Sequence, residues 1–183
     1  MSRVLPTEPA LPVKFAHFVL RSRNYQATRD WYMLVLNMRP VFENSLLGFF
    51  TYDAEHHRLA ITNLPNCPER TEGEQGVDHV AYTLASLGEL LGHYRRLKTL
   101  GIEPYWCINH GPTTSMYFRD PDGNQVEFQT DNFEKVEDLQ GWFQTDTFAS
   151  NPLGVVYDPE VLIERYERGD PLEELLRQGS TQG

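Results

Sequence analysis

The sequence predicts an α+β protein in which two tandem β-α-β-β-β modules form one curved sheet, followed by a short helical tail. The first observation is that the same order of strand-like and helix-like runs occurs twice within residues 13–130. The second is that each copy opens with a strand-like run that holds one histidine, His17 and then His79. The third is a change in charge composition after residue 130.

The first module covers residues 13–63. It opens with the β-prone run from Lys14 to Leu20, and a helix is expected near residues 24–36. Asn24 suits the N-cap of that helix, and Asn37 suits the left-handed position after its end. Three further strand-like runs complete the module: 39–43, 47–52 and 57–63.

The second module covers residues 77–130 and repeats this order after a linker at 64–76. Its first strand is expected at 77–84, and its helix at 87–100 is capped by Ser86 and stopped by Gly101. Runs at 102–108, 115–119 and 125–130 complete it. If the modules pack about a pseudo-two-fold axis, His17 and His79 project into a shared concave surface.

The tail, residues 131–183, has 12 acidic and four basic side chains, against 14 and 12 in residues 1–130. An acidic tail is typical of a solvated surface. Asp158 followed by Pro159 predicts a helix start, and Asp170 followed by Pro171 repeats the pattern. The apolar stripes of both helices favour docking on the domain or on a partner subunit.

Composition excludes several classes of function. The net charge of −10 offers no basic face for nucleic acid. No apolar run approaches the roughly 18 residues that a membrane span needs, and the stretch from Met1 to Pro12 shows no signal peptide. With only two cysteines, a cytoplasmic protein is expected.

A metal site is predicted from three side chains. Side chains alternate along a strand, so Glu127 shares a face with Gln125 and Gln129. A buried carboxylate needs a partner, and a metal ion held with His17 and His79 supplies one. Two histidines and one carboxylate are typical of non-haem Fe(II) oxygenases. Aligning residues 57–61 with 125–129 places Leu59 opposite Glu127, which predicts no fourth protein ligand.

These residues resemble the vicinal oxygen chelate superfamily, with its glyoxalase and dihydroxybiphenyl dioxygenase-like fold. The run from Ile108 to Glu127 is similar to the signature of type I extradiol ring-cleavage dioxygenases, with a histidine, an apolar–Tyr pair and an Asp-Pro-x-Gly turn before the metal glutamate. The resemblance implies an enzyme that opens a catechol with O2. The residues to which it assigns roles follow: His17, His79 and Glu127 as ligands of Fe(II), with Mn(II) as the other candidate, and His57, His110 and Tyr117 as catalytic groups.

The role of His57 comes from the run His56-His57-Arg-Leu-Ala, where strand phase is expected to put His57 on the Glu127 face and to turn His56 away. Substrate contacts are predicted for Phe50, Trp106 and Phe118. Well-known relatives carry an extra pair of modules, and its absence here favours a homo-oligomer.

Two alternatives stay open at this point. One is a Mn(II)-dependent transferase of the fosfomycin-resistance type, which needs no set like His57, His110 and Tyr117. The other is a small-molecule-binding protein without catalysis, against which the three retained ligands count. A glyoxalase-type isomerase is disfavoured by Leu59.

Overall fold

The computed structural model of the chain describes residues 5, 9–71 and 73–180. The chain forms two compact units, the first ending at Glu69 and the second beginning at Arg70. Each unit contains one of the predicted modules, and the second also contains the tail. Residues 1–4 and 6–8, for which no signal peptide is predicted, and residue 72 of the linker lie outside the described residues.

The first unit has the predicted β-α-β-β-β order. Its elements are β1 (Phe18–Ser22), α1 (Tyr25–Val35), β2 (Arg39–Glu43), β3 (Leu47–Thr51) and β4 (Leu59–Asn63). The strands lie in the order β1-β4-β3-β2, with β1 parallel to β4. Asn24 occupies the N-cap position without a capping side-chain hydrogen bond, and Asn37 has the expected left-handed backbone, with φ 50°.

The core of the first unit lies between α1 and one face of the sheet. Tyr25, Tyr32 and Val35 are buried on the helix at the spacing of one helical face. Phe50 and Leu59, which oppose each other on β3 and β4, are fully buried. Burying each such side chain contributes about 1.5–3 kcal/mol to the free energy of folding. This face of the sheet therefore forms the core and is not available to a ligand.

The second unit repeats the arrangement and adds a strand. Its elements before the tail are β5 (His79–Thr83), α2 (Leu87–Thr99), β6 (Trp106–Asn109), β7 (Thr113–Arg119) and β8 (Gln125–Asp131). Ser86 caps α2 by accepting a hydrogen bond from the Glu89 amide at 3.2 Å, as predicted. The fold class is confirmed, but the strands pair within each module, which gives two sheets instead of one continuous sheet.

The tail is integrated into the second unit. Its elements are α3 (Val136–Trp142), α4 (Asp146–Ser150), β9 (Val155–Val156), α5 (Pro159–Arg168) and α6 (Leu172–Leu175). The short strand β9, which the sequence does not predict, pairs with β6 at the sheet edge. Asp158 caps α5 as expected, and α5 docks on α2, where Tyr94 donates to Glu160 at 2.7 Å. Asp170 does not cap α6, because it binds Arg165 and Arg168.

Four strands begin later than predicted. For β5 the shift is from residue 77 to His79, and the other three shifts are larger or matter more for the site. β1 begins at Phe18 instead of Lys14, β4 at Leu59 instead of His57, and β6 at Trp106 instead of Ile102. Phe18 opposes Leu59 in the parallel ladder, so both strands start together. Residues before that point have β-prone composition but no strand partner, and His17 and His57 therefore precede their strands.

None of the helices formed by the described residues combines the length and the apolar character needed to span a membrane.

Candidate active site

Three side chains on neighbouring strands form one row across the second sheet. Trp106 of β6 opposes Tyr117 of β7, and Tyr117 opposes Glu127 of β8. Directly opposed residues point to the same face, so an indole, a phenol and a carboxylate share one surface. Tyr117 and Glu127 are 5% and 4% exposed, and buried polar groups of this kind need partners.

His79, the first residue of β5, is the partner of Glu127. Its Nε2 lies 3.0 Å from Oε2 of Glu127, and the Glu127 side chain is 5% exposed. On the other side of the ring, Nδ1 lies 2.7 Å from Oδ2 of Asp78. An ionised carboxylate only accepts, so Nδ1–H donates to Asp78, and this hydrogen bond lowers the pKa of the Asp78 carboxyl.

This arrangement has an electrostatic consequence at Glu127. With Nδ1–H donated to Asp78, His79 Nε2 either carries a second proton that it donates to Glu127 or presents a lone pair to a carboxylate oxygen 3.0 Å away. In both cases a positive charge belongs between the two atoms. That charge is a proton or a metal cation.

Tyr117 and His110 continue the polar row. His110 Nε2 lies 3.0 Å from the Tyr117 hydroxyl, and the His79 ring meets the Tyr117 ring edge-on at 5.2 Å. Burial, and next the negative charge of Glu127, raise the pKa of the Tyr117 phenol. The phenol therefore stays protonated and can donate a hydrogen bond. On its far side, His110 Nδ1 contacts the carbonyl oxygen of Leu153.

A second layer of polar residues, which sequence reasoning missed, supports His79. Gln125 Nε2 donates to the carbonyl oxygen of Asp78 at 3.2 Å, and Gln125 accepts a hydrogen bond from the Tyr105 hydroxyl. The Arg119 guanidinium lies 4.5 Å from the centre of the Tyr105 ring. The alternation of β8 already placed Gln125 on the Glu127 face, but no sequence signal pointed to Asp78.

In the first unit, three histidine rings lie together, and one of them stacks on Phe49. The His57 ring stacks on Phe49, with centres 4.5 Å apart and planes at 17°, and it lies 4.2 Å from the His17 ring. The prediction placed His57 by its phase along a strand, but His57 precedes β4 and reaches this place from a loop. His56 does not turn away: its Nδ1 lies 2.6 Å from Nδ1 of His57. Burial, then the neighbouring His17 and His56, lower the pKa of His57.

The strand registers correct the predicted equivalence between the modules. Val19 opposes Ala60 in β1 and β4, as Ala81 opposes Glu127 in β5 and β8. The structural counterpart of Glu127 is therefore Ala60, one residue beyond the predicted Leu59. Alanine has no donor atom on its side chain, so the expectation that the first module lacks a carboxylate ligand at this position holds.

The same registers show that the first module replaces the whole row. Phe42 opposes Phe49, and Phe49 opposes Ala60. Phe42, Phe49 and Ala60 thus take the places that Trp106, Tyr117 and Glu127 occupy in the second module. The polar chemistry of this sheet position belongs to the second module, while the first supplies an apolar surface and histidines.

Two of the three predicted substrate contacts, Phe50 and Phe118, lie on the opposite face of their sheets from the candidate site. Phe50 is fully buried and opposes Leu59 on the helix-packed face of its sheet. Phe118 is 1% exposed and opposes Val126, one residue out of phase with Tyr117 and Glu127. Both side chains are core residues because successive residues of a strand point to opposite faces. Trp106 lies on the Glu127 face, half-buried, with its ring 4.9 Å from the Tyr117 ring.

The predicted metal ligands are divided between the units, with His17 in the first and His79 and Glu127 in the second. Taken alone, neither unit brings three described His, Cys, Asp or Glu side chains together as a metal site. The second unit offers two adjacent donors, an imidazole nitrogen and a buried carboxylate oxygen. An imidazole nitrogen and a carboxylate oxygen are both ligands that divalent cations use.

The chain is similar to several known proteins. Residues 14–128 match the family described as Glyoxalase/Bleomycin resistance protein/Dioxygenase superfamily. Biphenyl-2,3-diol 1,2-dioxygenase 2 of Rhodococcus globerulus is 43% identical over 163 residues, covering 88% of this chain and 86% of that protein. Biphenyl-2,3-diol 1,2-dioxygenase 3 of the same organism is 41% identical over 164 residues, with the same coverage of both chains.

Solved structures of related fold extend the likeness. A fosfomycin resistance protein from Listeria monocytogenes is similar with a TM-score of 0.56 and 21% identity, over 72% of this chain and 99% of that one. A glyoxalase/bleomycin resistance protein/dioxygenase from Nocardioides is similar with a TM-score of 0.56 and 20% identity, over 68% and 87%. At these identities the likeness concerns the fold alone.

Proposed function

Because the chain belongs to the Glyoxalase/Bleomycin resistance protein/Dioxygenase superfamily, we propose that it opens the diol-bearing ring of a biphenyl-2,3-diol with O2. The match of residues 14–128 to the family confirms the resemblance to the superfamily that the sequence suggested. The two Rhodococcus dioxygenases carry the assignment, because their similarity spans 88% of the chain and therefore both units. The chain is a ring-cleaving dioxygenase of the extradiol class.

The names of these relatives define the reaction that we propose. In a 2,3-diol cleaved between carbons 1 and 2, only one carbon of the broken bond carries a hydroxyl, which is the meaning of extradiol cleavage. Carbon 1 also carries the second ring. Breaking the bond between carbons 1 and 2 turns carbon 2 into a carboxylate and carbon 1 into a ketone. Both atoms of O2 enter the product, so no further reductant is needed.

We propose that His17, His79 and Glu127 hold an Fe(II) ion, with Mn(II) as the alternative metal. The closeness of two donor atoms, His79 Nε2 and Glu127 Oε2 at 3.0 Å, supports a cation at that place. Bound Fe(II) supplies a redox-active centre with open positions for the diol oxygens and for O2, whose triplet ground state reacts slowly with organic molecules. The chain's own residues then bind, orient and protonate.

Proton transfer is assigned to His57. Its ring stacks on Phe49 and lies 4.2 Å from the His17 ring, and burial of the ring lowers its pKa below the ordinary value of 6.5. The neutral form therefore prevails at neutral pH, as a base that accepts a hydroxyl proton requires. Returning that proton to the oxygen of the opening ring completes the cycle.

Orientation of the diol oxygens is assigned to Tyr117 and His110. The raised pKa of Tyr117 keeps its hydroxyl protonated, and the 3.0 Å hydrogen bond to His110 fixes its direction. The hydroxyl oxygen can then accept a hydrogen bond from a hydroxyl group of the bound diol. Trp106 stacks beside Tyr117 on the same face and offers an apolar wall to an aromatic ring.

The test is a stoichiometric turnover experiment. Protein loaded anaerobically with Fe(II) is mixed with biphenyl-2,3-diol and O2, and oxygen uptake is compared with the product mass. We expect one O2 consumed per diol and both oxygen atoms in a conjugated, coloured keto acid. Absence of oxygen uptake across a panel of aromatic diols would sink the assignment, and turnover with Mn(II) but not Fe(II) would replace the metal.

The two other functions considered from the sequence give different results in this experiment. A transferase of the fosfomycin-resistance type consumes a thiol and an epoxide without oxygen uptake. A binding protein retains the diol unchanged. The contact between Tyr117 and His110 at 3.0 Å, together with His57, favours the dioxygenase, because the transferase and the binding protein need no such set.

Self-association and a cytoplasmic location are also part of the proposal. All five residues of the edge strand β2 are exposed, including Val41 at 48% and Phe42 at 49%, and an exposed apolar edge favours pairing with another chain. Sedimentation equilibrium that gives only the monomer mass would contradict the oligomer. Cys67 and Cys107 are free thiols, as a reducing compartment allows.

A further inference from the structure

The segment that follows the matched family region returns to the active site at His110. In the register of β9 on β6, Val155 opposes Asn109, so Gly154 comes against His110 and Leu153 directly precedes it. The His110 Nδ1 nitrogen contacts the Leu153 carbonyl oxygen. This contact lies within the second unit and involves a backbone atom of the tail.

A carbonyl oxygen only accepts hydrogen bonds, so His110 Nδ1 carries a proton. A neutral imidazole carries one ring proton, and its Nε2 is then an acceptor. Nε2 lies 3.0 Å from the Tyr117 hydroxyl, which therefore donates to it. The Leu153 carbonyl decides which way the hydrogen bond between Tyr117 and His110 runs.

The backbone around Leu153 is built to hold this carbonyl close. A Cβ atom on Gly154 would lie 2.5 Å from the Asn109 carbonyl oxygen and 2.8 Å from the His110 Cα, and φ at Gly154 is +118°. Only glycine fits here. The Asn151 side chain donates to the Gly154 carbonyl at 2.7 Å and accepts from its amide at 3.1 Å, so the segment is also fixed from its other side.

The same segment packs on the residue after His110. A Cβ atom on Gly111 would lie 2.1 Å from the Trp142 ring, and φ at Gly111 is +97°. Trp142 is in turn packed against Phe148 at 5.2 Å and Phe133 at 6.3 Å between ring centres. The aromatic cluster therefore covers the loop that carries His110.

We propose that residues 142–154, here called the clamp segment, are a positioning element of the active site, which fixes the tautomer of His110 through the Leu153 carbonyl and its loop through Trp142. The consequence for catalysis rests on the proposed function: with the tautomer fixed, the Tyr117 hydroxyl is oriented before substrate arrives. The tautomer itself is a property of the folded chain and is measurable without activity.

The test is 15N NMR of the full-length protein with labelled histidine, freed of metal by a chelator and held near pH 8, above the ordinary histidine pKa of about 6.5. Long-range correlations show which ring nitrogen carries the proton, and a His110→Gln variant identifies the signal. We expect the proton on Nδ1 in the parent. A proton on Nε2 would overturn the proposal.

Gly154→Ala displaces the carbonyl and should give a mixture of tautomers, with kcat reduced about tenfold and KM changed much less, because positioning affects the reacting geometry. Asn151→Ala is a milder variant with the same expected direction. Gly169→Ala is the control, since Gly169 has φ +88° and a Cβ added there would meet no neighbouring side chain or strand of the described residues within 4 Å, so it adds backbone strain away from the site.

The two possible failures are distinguishable. An unshifted tautomer in folded Gly154→Ala and Asn151→Ala protein would overturn the proposal even if the enzyme is active. If the tautomer behaves as expected in the parent and in both variants but the parent has no oxygenase activity, the proposed function fails and the role of the clamp segment stands.

Discussion

His79 Nε2 and Glu127 Oε2 lie 3.0 Å apart on one face of the second sheet, brought together by the parallel pairing of β5 with β8. The first module has the same parallel pairing between β1 and β4, but Ala60 stands where Glu127 would be. Two modules of one architecture thus differ in the chemistry of one row across the sheet. The second provides the histidine–carboxylate pair, and the first provides histidines beside an apolar row.

From the pair formed by His79 and Glu127, we expect that changing either residue causes a loss of bound metal. Glu127→Gln keeps the shape of the side chain but removes its negative charge, and His79→Ala removes the nitrogen donor. Each variant should weaken iron retention by at least about 10²-fold, because hard divalent ions bind anionic oxygen and imidazole nitrogen best. Metal content after dialysis is the measurement.

The control for this loss is His93→Leu, which removes a histidine on the helix-packed side of the same sheet, where it lies 4.4 Å from the Phe128 ring. It should retain as much iron as the parent. A His79→Ala protein that still holds one iron per chain would remove this residue from the site.

His57 predicts a separation of binding from turnover. His57→Phe preserves the stacking on Phe49 but removes the group that moves protons. Iron content and diol affinity should stay near the parent values, while kcat falls by roughly 10²-fold or more, the usual scale for a general acid–base group. The neighbouring His56→Phe should cost much less. Equal losses in both variants would assign the proton transfer elsewhere.

The sequence could predict the features that depend on residues close together in the chain. Helix starts such as Ser86 and Asp158 follow from side chains that cap amides two or three residues away. The duplicated order of elements follows from hydrophobic periodicity, and Glu127 follows from alternation along one strand.

What it could not predict depends on partners distant in the chain. The first residues of β1 and β4 are set by where the two strands begin to pair. Because of this pairing, His57 lies in a loop before β4. The same register makes Ala60, instead of Leu59, the counterpart of Glu127. The faces of Phe50 and Phe118 follow from the same registers. The Leu153 contact uses a backbone carbonyl, which has no signature in the sequence.

The hydrogen bonds of Arg58 lead us to expect that metal retention also depends on a residue that is not a metal ligand. Its Nε and Nη2 donate to Oδ2 of Asp53 at 3.0 and 2.9 Å, and Nη1 donates to the carbonyl oxygens of Phe15 and Ala16. The guanidinium thereby ties the backbone just before His17 to the loop that carries His57. Arg58→Lys lacks the planar fork needed for these bonds.

Iron retention in Arg58→Lys should fall by about 10-fold, within the range for residues that orient a ligand. Arg23→Lys makes the same exchange in the first unit, at an exposed pair with Glu69, and should leave retention unchanged. If both variants behave alike, Arg58 contributes only to general stability.

His93 predicts how stability depends on pH. Its Nε2 is buried without a hydrogen-bond partner among the described residues, and burial, with Arg96 on the same helix, lowers its pKa from 6.5 to about 4. Above pH 6.5 the ring is neutral in both folded and unfolded chains and has no linkage effect. As the pH falls from 6.5 towards 4, the unfolded chain takes up a proton that the folded chain refuses, so stability is lost.

His93→Leu removes this loss. Relative to the parent, its free energy of unfolding should therefore rise by about 1–2 kcal/mol between pH 7.5 and pH 5, given roughly 1.4 kcal/mol per unit of pKa difference and allowing for partial exposure of the ring. Urea unfolding at the two pH values measures it, with equal m-values as the check that both proteins unfold in the same way. A constant difference between the two proteins across this range would show that the His93 ring gains its proton as easily in the folded chain as in the unfolded one.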